Sequence, residues 1–251
     1  MTLKHNRTSY IIGRQPVIEA LRAGKEFERI FLLKNAFGDG INEIRAEAQA
    51  AQVPINSVPV EKLNSISRAN HQGVIAVVSM VSYIELQEVI DHVVAAGETP
   101  LFVMLDGITD VRNIGAIARS ALCCGAQALI IPDKGVGAIN EDAMKSSAGA
   151  LNNIYMCRES SLLKAVDTLH LNGIKVCTAE MKSDRKLDEL ELAGPTCVIM
   201  GSEDKGIQNY LMKAADDRFT IPMSGKFDSF NVSVAAGIIL YECFRQRSSA
   251  K

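Results

Sequence analysis

The 251-residue chain is 47% hydrophobic and 22% charged, with a formal net charge of −2. That supplies a core for one large or two smaller domains and excludes a disordered chain or one that coats nucleic acid by charge alone. No apolar run approaches the roughly 18 residues of a membrane span, and MTLKHNRTSY lacks a continuous apolar segment, so a cytoplasmic protein with no membrane partner is expected.

In chain order, the pattern predicts a helix over Arg14–Ala23 ended by Gly24, a strand Arg29–Leu33, a helix Asn42–Ala51, a strand Pro54–Ser57, a helical turn after Pro59 and a strand Gly73–Val81. Residues 1–80 hold ten Lys or Arg against seven Asp or Glu, a local +3, while the remainder carries −5. An amphipathic helix, Glu85–Ala96, precedes the breaker Gly97-Glu98-Thr99-Pro100. We therefore expect a small αβ domain over residues 1–81, a helix-containing linker over 82–99 and a second domain over 100–251. From Leu101 six apolar strands follow: 101–106, 126–132, 153–157, 174–180, 196–201 and 218–223. Continuous apolar strands separated by helices predict an α/β class, with a parallel sheet covered on both faces.

In such sheets ligands bind beyond the carboxyl ends of the strands, where three polar constellations stand out. The first is LDGITDVRNIGAIARS (105–120). Ile114, Ile117, Ala118, Ala121 and Leu122 fall at helical spacing, so a helix is expected near Asn113, which sits where an N-cap belongs. Small neighbours leave Arg119 room to project. The second is GSEDKG (201–206), two glycines bracketing Glu203, which reads as an acidic turn or as a ligand loop. The third is the polar loop 221–233, where Ser229 or Asn231 can cap a long final helix.

Phosphate-loop, dinucleotide, zinc-protease and hydrolase-elbow motifs are all absent from the sequence. His5, His71, His92 and His170 lie outside the three constellations. Cys123, Cys124, Cys157, Cys177, Cys197 and Cys243 form no C-x-x-C pair, so reduced thiols and no metal are expected.

Together N-x-G-x-x-x-R (Asn113–Arg119), M-G-S-E-x-x-G (Met200–Gly206) and I-P-M-x-G…S-F-N-V-S-V-A (Ile221–Ala235) resemble the three ordered motifs of SpoU/TrmH-type RNA ribose 2′-O-methyltransferases, of the SPOUT superfamily. GRQPVIEAL (13–21) and HQGV (71–74) resemble the L30e-like RNA-binding domain of the subgroup that methylates a 23S rRNA guanosine. The resemblance implies a C-terminal, mostly parallel sheet containing a trefoil knot and a homodimer formed through that domain. It implies S-adenosylmethionine as methyl donor and RNA as substrate, more readily rRNA than tRNA. Asn113, Arg119, Glu203, Ser229 and Asn231 would be the catalytic set, and Gly201, Ile221, Met223 and Phe230 would hold the donor. Phe230 stands where the family usually has Leu, and its ring could stack on adenine. Arg119 would act as general base or as a phosphate clamp. Arg7, Arg14, Arg22, Arg68 and Arg112 are candidate RNA contacts. A tRNA ribose methyltransferase and a non-catalytic RNA-binding assembly factor are the alternatives; a nucleotide-dependent oxidoreductase lacks its glycine fingerprint.

Overall fold

A computed structural model describes residues 9–180, 183–225 and 229–249, so Arg7 lies outside the described residues. The chain divides after Ser82 into two compact units, the first also taking in Ala138–Glu141. In the first unit β1 (Tyr10–Ile12), α1 (Arg14–Arg22), β2 (Phe27–Leu33), α2 (Asp39–Ala50), β3 (Ile55–Val58), α3 (Val60–Ile66) and β4 (Val74–Val78) build a four-stranded sheet of order β1-β4-β2-β3. Val17, Ile18 and Leu21 of α1 and Ile41, Ile44 and Ala48 of α2 fall at helical spacing, so each helix turns one stripe onto Phe27, Ile30, Leu32, Val74 and Ala76. Each large side chain buried there stabilises the unit by about 1.5–3 kcal/mol.

The second unit contains α4 (Leu86–Ala95), β5 (Leu101–Asp106), α5 (Val111–Cys123), β6 (Ala128–Pro132), α6 (Glu141–Ser147), β7 (Tyr155–Glu159), α7 (Leu162–Leu171), β8 (Lys175–Ala179), β9 (Thr196–Gly201), α8 (Asn209–Ala214), β10 (Asp217–Phe219) and α9 (Val232–Ser249). Its six strands are all parallel, in the order β10-β8-β9-β5-β6-β7. Residues 83–99, within the stretch read as a helix-containing linker, cluster with the second unit. Leu86, Val89, Ile90 and Val93 of α4 are buried in the core beside Phe102, Met104, Ile130 and Val166. The amphipathic pattern revealed a buried stripe but not its partner.

The sixth strand is shorter than expected. It ends at Phe219, because the Thr220 amide and carbonyl bond to Arg185 and Leu187, and Pro222 has no N–H to continue a ladder. Ile221–Met223 are thereby released from the sheet.

Strand order places the site. From β5 the chain steps to β6 and β7 on one side; it then returns to β8, β9 and β10 on the other. The connections therefore diverge between neighbouring β5 and β9, opening a crevice beyond their carboxyl ends. The first and second constellations follow these two strands. Among the described residues no helix is long and apolar enough to cross a membrane, and no group of three or more His, Cys, Asp or Glu could hold a metal ion.

Candidate active site

Asp106 closes the base of the crevice. It is 2% exposed and paired in register with Gly201, and its carboxylate accepts the Gln208 amide at 2.7 Å and the Gln208 Nε2 at 2.8 Å. The loop after β9 is thus braced from the end of β5. Gly201 is required by close approach, since a Cβ there would lie 2.3 Å from the Gly206 carbonyl carbon.

Helix α5 begins three residues earlier than an Asn113 cap would place it. Asp110, not Asn113, is its N-cap, accepting the Arg112 amide at 2.9 Å. Asp and Asn cap equally well, so the pattern alone could not choose between them. The Arg112 side chain turns back onto the same carboxylate, with Nε to Oδ1 and Nη2 to Oδ2 both at 3.2 Å, and holds Asp110 below the usual carboxylate range. Arg112, offered as an RNA contact, pairs with Asp110 on the surface.

Relieved of capping, Asn113 takes another partner. Its Oδ1 accepts from Asn231 Nδ2 at 3.3 Å, and that nitrogen also donates to Glu203 Oε1 at 2.6 Å. Glu203 Oε1 further accepts the Val232 amide at 3.3 Å, while Asn231 Oδ1 accepts the Ser233 amide at 3.0 Å, capping α9. One residue from each constellation therefore meets in a single network. Glu203 bonds Asn231 and not Arg119.

The small residues of α5 serve packing. A Cβ on Gly115 would lie 2.0 Å from Ser146 Oγ and 2.3 Å from the Ala143 carbonyl, so this glycine admits α6; Ala118 and Ala121 are fully buried. Arg119 projects from the exposed face and makes no hydrogen bond or ion pair with the described residues. In the first unit, Arg14 Nε donates to the Gln72 carbonyl at 3.1 Å, Arg22 pairs with Glu43 and Glu47, and Arg68 is exposed.

Beside the network, beyond the ends of β8, β9 and β10, lies a cavity of about 660 Å³. Gly201, Ile221, Met223, Ser229 and Phe230 all line it, as do Met200, Ile207, Met212 and Val232. Sequence reasoning missed Glu180, Lys205 and Thr220 in the wall. Glu180 directly follows β8, so the strand-end rule could have found it.

The volume falls within the range of about 300–1,000 Å³ usual for ligand pockets. The apolar part of the wall, with the thioethers of Met200, Met212 and Met223 and the partly exposed Phe230 ring, suits an adenine and a sulfonium. The residues present therefore fit S-adenosylmethionine.

A sequence model of the SpoU rRNA methylase family matches residues 100–241, and one for RNA 2′-O ribose methyltransferase substrate binding matches residues 10–84. The chain is 33% identical over 244 residues to the 23S rRNA (guanosine-2′-O-)-methyltransferase RlmB of Vibrio parahaemolyticus, covering 96% of this chain and 98% of that one. It is 29% identical over 239 residues to YacO of Bacillus subtilis, named for the TrmH family of tRNA/rRNA methyltransferases, covering 95% and 96%. The structure of the SpoU methyltransferase AviRb from Streptomyces viridochromogenes, in complex with AdoMet, shares the fold with a TM-score of 0.62 at 24% identity, over 96% of this chain and 90% of that one.

Proposed function

Since this chain belongs to the SpoU rRNA methylase family and is an S-adenosylmethionine-dependent RNA ribose 2′-O-methyltransferase, we propose that its target is a guanosine of 23S rRNA. The observation that carries this reading is the 33% identity to an enzyme of that name along nearly both full lengths, first unit included. Mapping 2′-O-methylation in rRNA and tRNA from cells with and without the gene tests it. Loss of one 23S guanosine mark is expected; loss of a tRNA mark alone would overturn it.

The donor supplies an electrophilic methyl group on sulfur, and the 660 Å³ cavity, with Gly201, Ile221, Met223 and Phe230 in its wall, is the place proposed for it. Methyl transfer in line to a hydroxyl is mainly a matter of positioning. Glu203 fixes the Asn231 amide, Asn231 in turn fixes Asn113 through its oxygen, and the Asn113 NH₂ remains to donate to a ribose oxygen. Ser229, at the cavity wall, orients the same nucleotide. Arg119 is read as a clamp on an RNA phosphate, because a planar guanidinium matches a phosphate bidentately and is a poor proton acceptor. A single-turnover pH–rate profile that shifts in Arg119→Lys would reinstate the base.

Two copies pairing through α5 and α9 complete the reading. Leu122, Val234, Tyr241 and Phe244 are exposed on these helices, opposite the buried stripe Val232, Ala236, Ile239 and Cys243. A helix apolar on both faces needs cover on both. Sedimentation should give a dimer for the parent and a monomer for the double variant Tyr241→Glu, Phe244→Glu; a monomeric parent refutes it.

A further inference from the structure

We propose that Glu180 recognises the ribose of S-adenosylmethionine, its carboxylate accepting hydrogen bonds from the 2′- and 3′-hydroxyls; this rests on the reading of the cavity as the donor pocket. Among the described residues the wall contains three charged side chains, Glu180, Glu203 and Lys205. Glu203 is engaged, with Oε1 accepting from both Asn231 and Val232. Glu180 is held in place but not used up. Its amide donates to the Phe219 carbonyl at 2.8 Å, and the buried Thr178 hydroxyl donates to Oε1 at 3.2 Å. Its Oε2 has no partner among the described residues.

Position decides which part of the ligand it meets. Across the sheet the order runs β8, β9, β5, so Glu180, just beyond β8, stands on the far side of the β9 loop from Asn113, which follows β5. The reacting methyl belongs at the Asn113 end, and the adenosyl arm then reaches back towards β8. Lys205, on the β9–α8 loop, offers an ammonium for the carboxylate of the amino-acid arm. What remains for Glu180 is a group rich in donors and adjacent to adenine. Two vicinal hydroxyls match the two oxygens of a carboxylate, the solution by which dinucleotide-binding sheets hold ribose from another strand end.

The test is calorimetry on Glu180→Gln and Glu180→Ala. The ligands are S-adenosylhomocysteine, 5′-methylthioadenosine, which lacks the amino-acid arm, and its 2′-deoxy form. A hydrogen bond to a charged group predicts about tenfold weaker binding or more of the first two ligands by both variants, with a smaller loss for the 2′-deoxy ligand, which keeps only its 3′-hydroxyl for the carboxylate. Glu180→Gln keeps shape, and its unchanged melting temperature separates lost recognition from lost folding. Weakened binding of S-adenosylhomocysteine with methylthioadenosine unaffected would assign Glu180 to the ammonium instead and overturn the proposal. So would equal binding of all three ligands by parent and variants. Ala235→Phe, which fills the cavity, distinguishes the two levels of the argument. Parent-like affinity in that variant sinks the pocket reading itself, whereas its failure to bind beside an unaffected Glu180→Gln sinks only the ribose assignment.

Discussion

Arg119 on α5 and Arg247 near the end of α9 belong to two helices that pack against each other, and the protein treats the two side chains oppositely. Arg247 spends its donors on backbone: Nε on the Leu192 carbonyl at 3.3 Å, Nη1 on Thr99 at 2.8 Å, and Nη2 on Pro100 at 2.9 Å and Gly194 at 2.6 Å. Burial lowers its pKa, and the four carbonyls take the place of water. Arg119 has no such partners among the described residues. An arginine whose hydrogen bonds are all internal ties segments together, whereas one that the fold leaves open is available for a partner from outside.

The contrast breaks if substitutions at the two positions behave alike. Arg119→Ala should lower single-turnover methyl transfer by about 10²–10⁴-fold, with the melting temperature within a degree or two of the parent. Arg247→Ala should do the reverse. It should lose about 2–3 kcal/mol of stability, a fall of roughly 5–10 °C in melting temperature, with the folded fraction still active. Asn231→Ala sharpens the comparison by sitting between them. The lost cap costs about 1 kcal/mol, and releasing Asn113 and Glu203 slows transfer by roughly 10²-fold, so melting and activity should both move.

The smallest effect belongs to Glu159 at the end of β7, whose carboxyl is raised first by burial and then by Glu85. A raised carboxyl contributes stability that is full below the unfolded value and lost as pH rises through the folded one. Glu159→Gln should therefore melt with the parent in acid and become the more stable of the two towards neutral pH. Parallel melting curves at all pH values would show the carboxyl to be ordinary.

Much of this was legible in the sequence because it depends on local repetition. Continuous apolar runs announced parallel strands, and the i, i+3, i+4 spacing from Ile114 announced α5 and the buried Ile114, Ile117, Ala118 and Ala121, although Leu122, read into the same face, is exposed. What escaped depends on residues far apart. Arg247 was not singled out, since its partners are carbonyls at 99, 100, 192 and 194, which no side-chain pattern records. The end of β10 was misplaced because Thr220 pairs with residues 185 and 187, a choice made by a loop thirty-odd positions away. The site was legible as three motifs; that Asn113, Glu203 and Asn231 share one nitrogen was not, because it needed the strand order.

Among the described residues the cavity is walled by four separate stretches, residues 179–180, 200–207, 220–223 and 229–235, with Met212 between them. During synthesis, therefore, no nascent chain that stops short of Ala235 has a complete pocket, however well its first unit has folded. A donor bound in that cavity would stabilise only a second unit that is complete. At a hundredfold excess over Kd it would add about 2.7 kcal/mol to that unit, protection that a truncated product in the same cell would not receive.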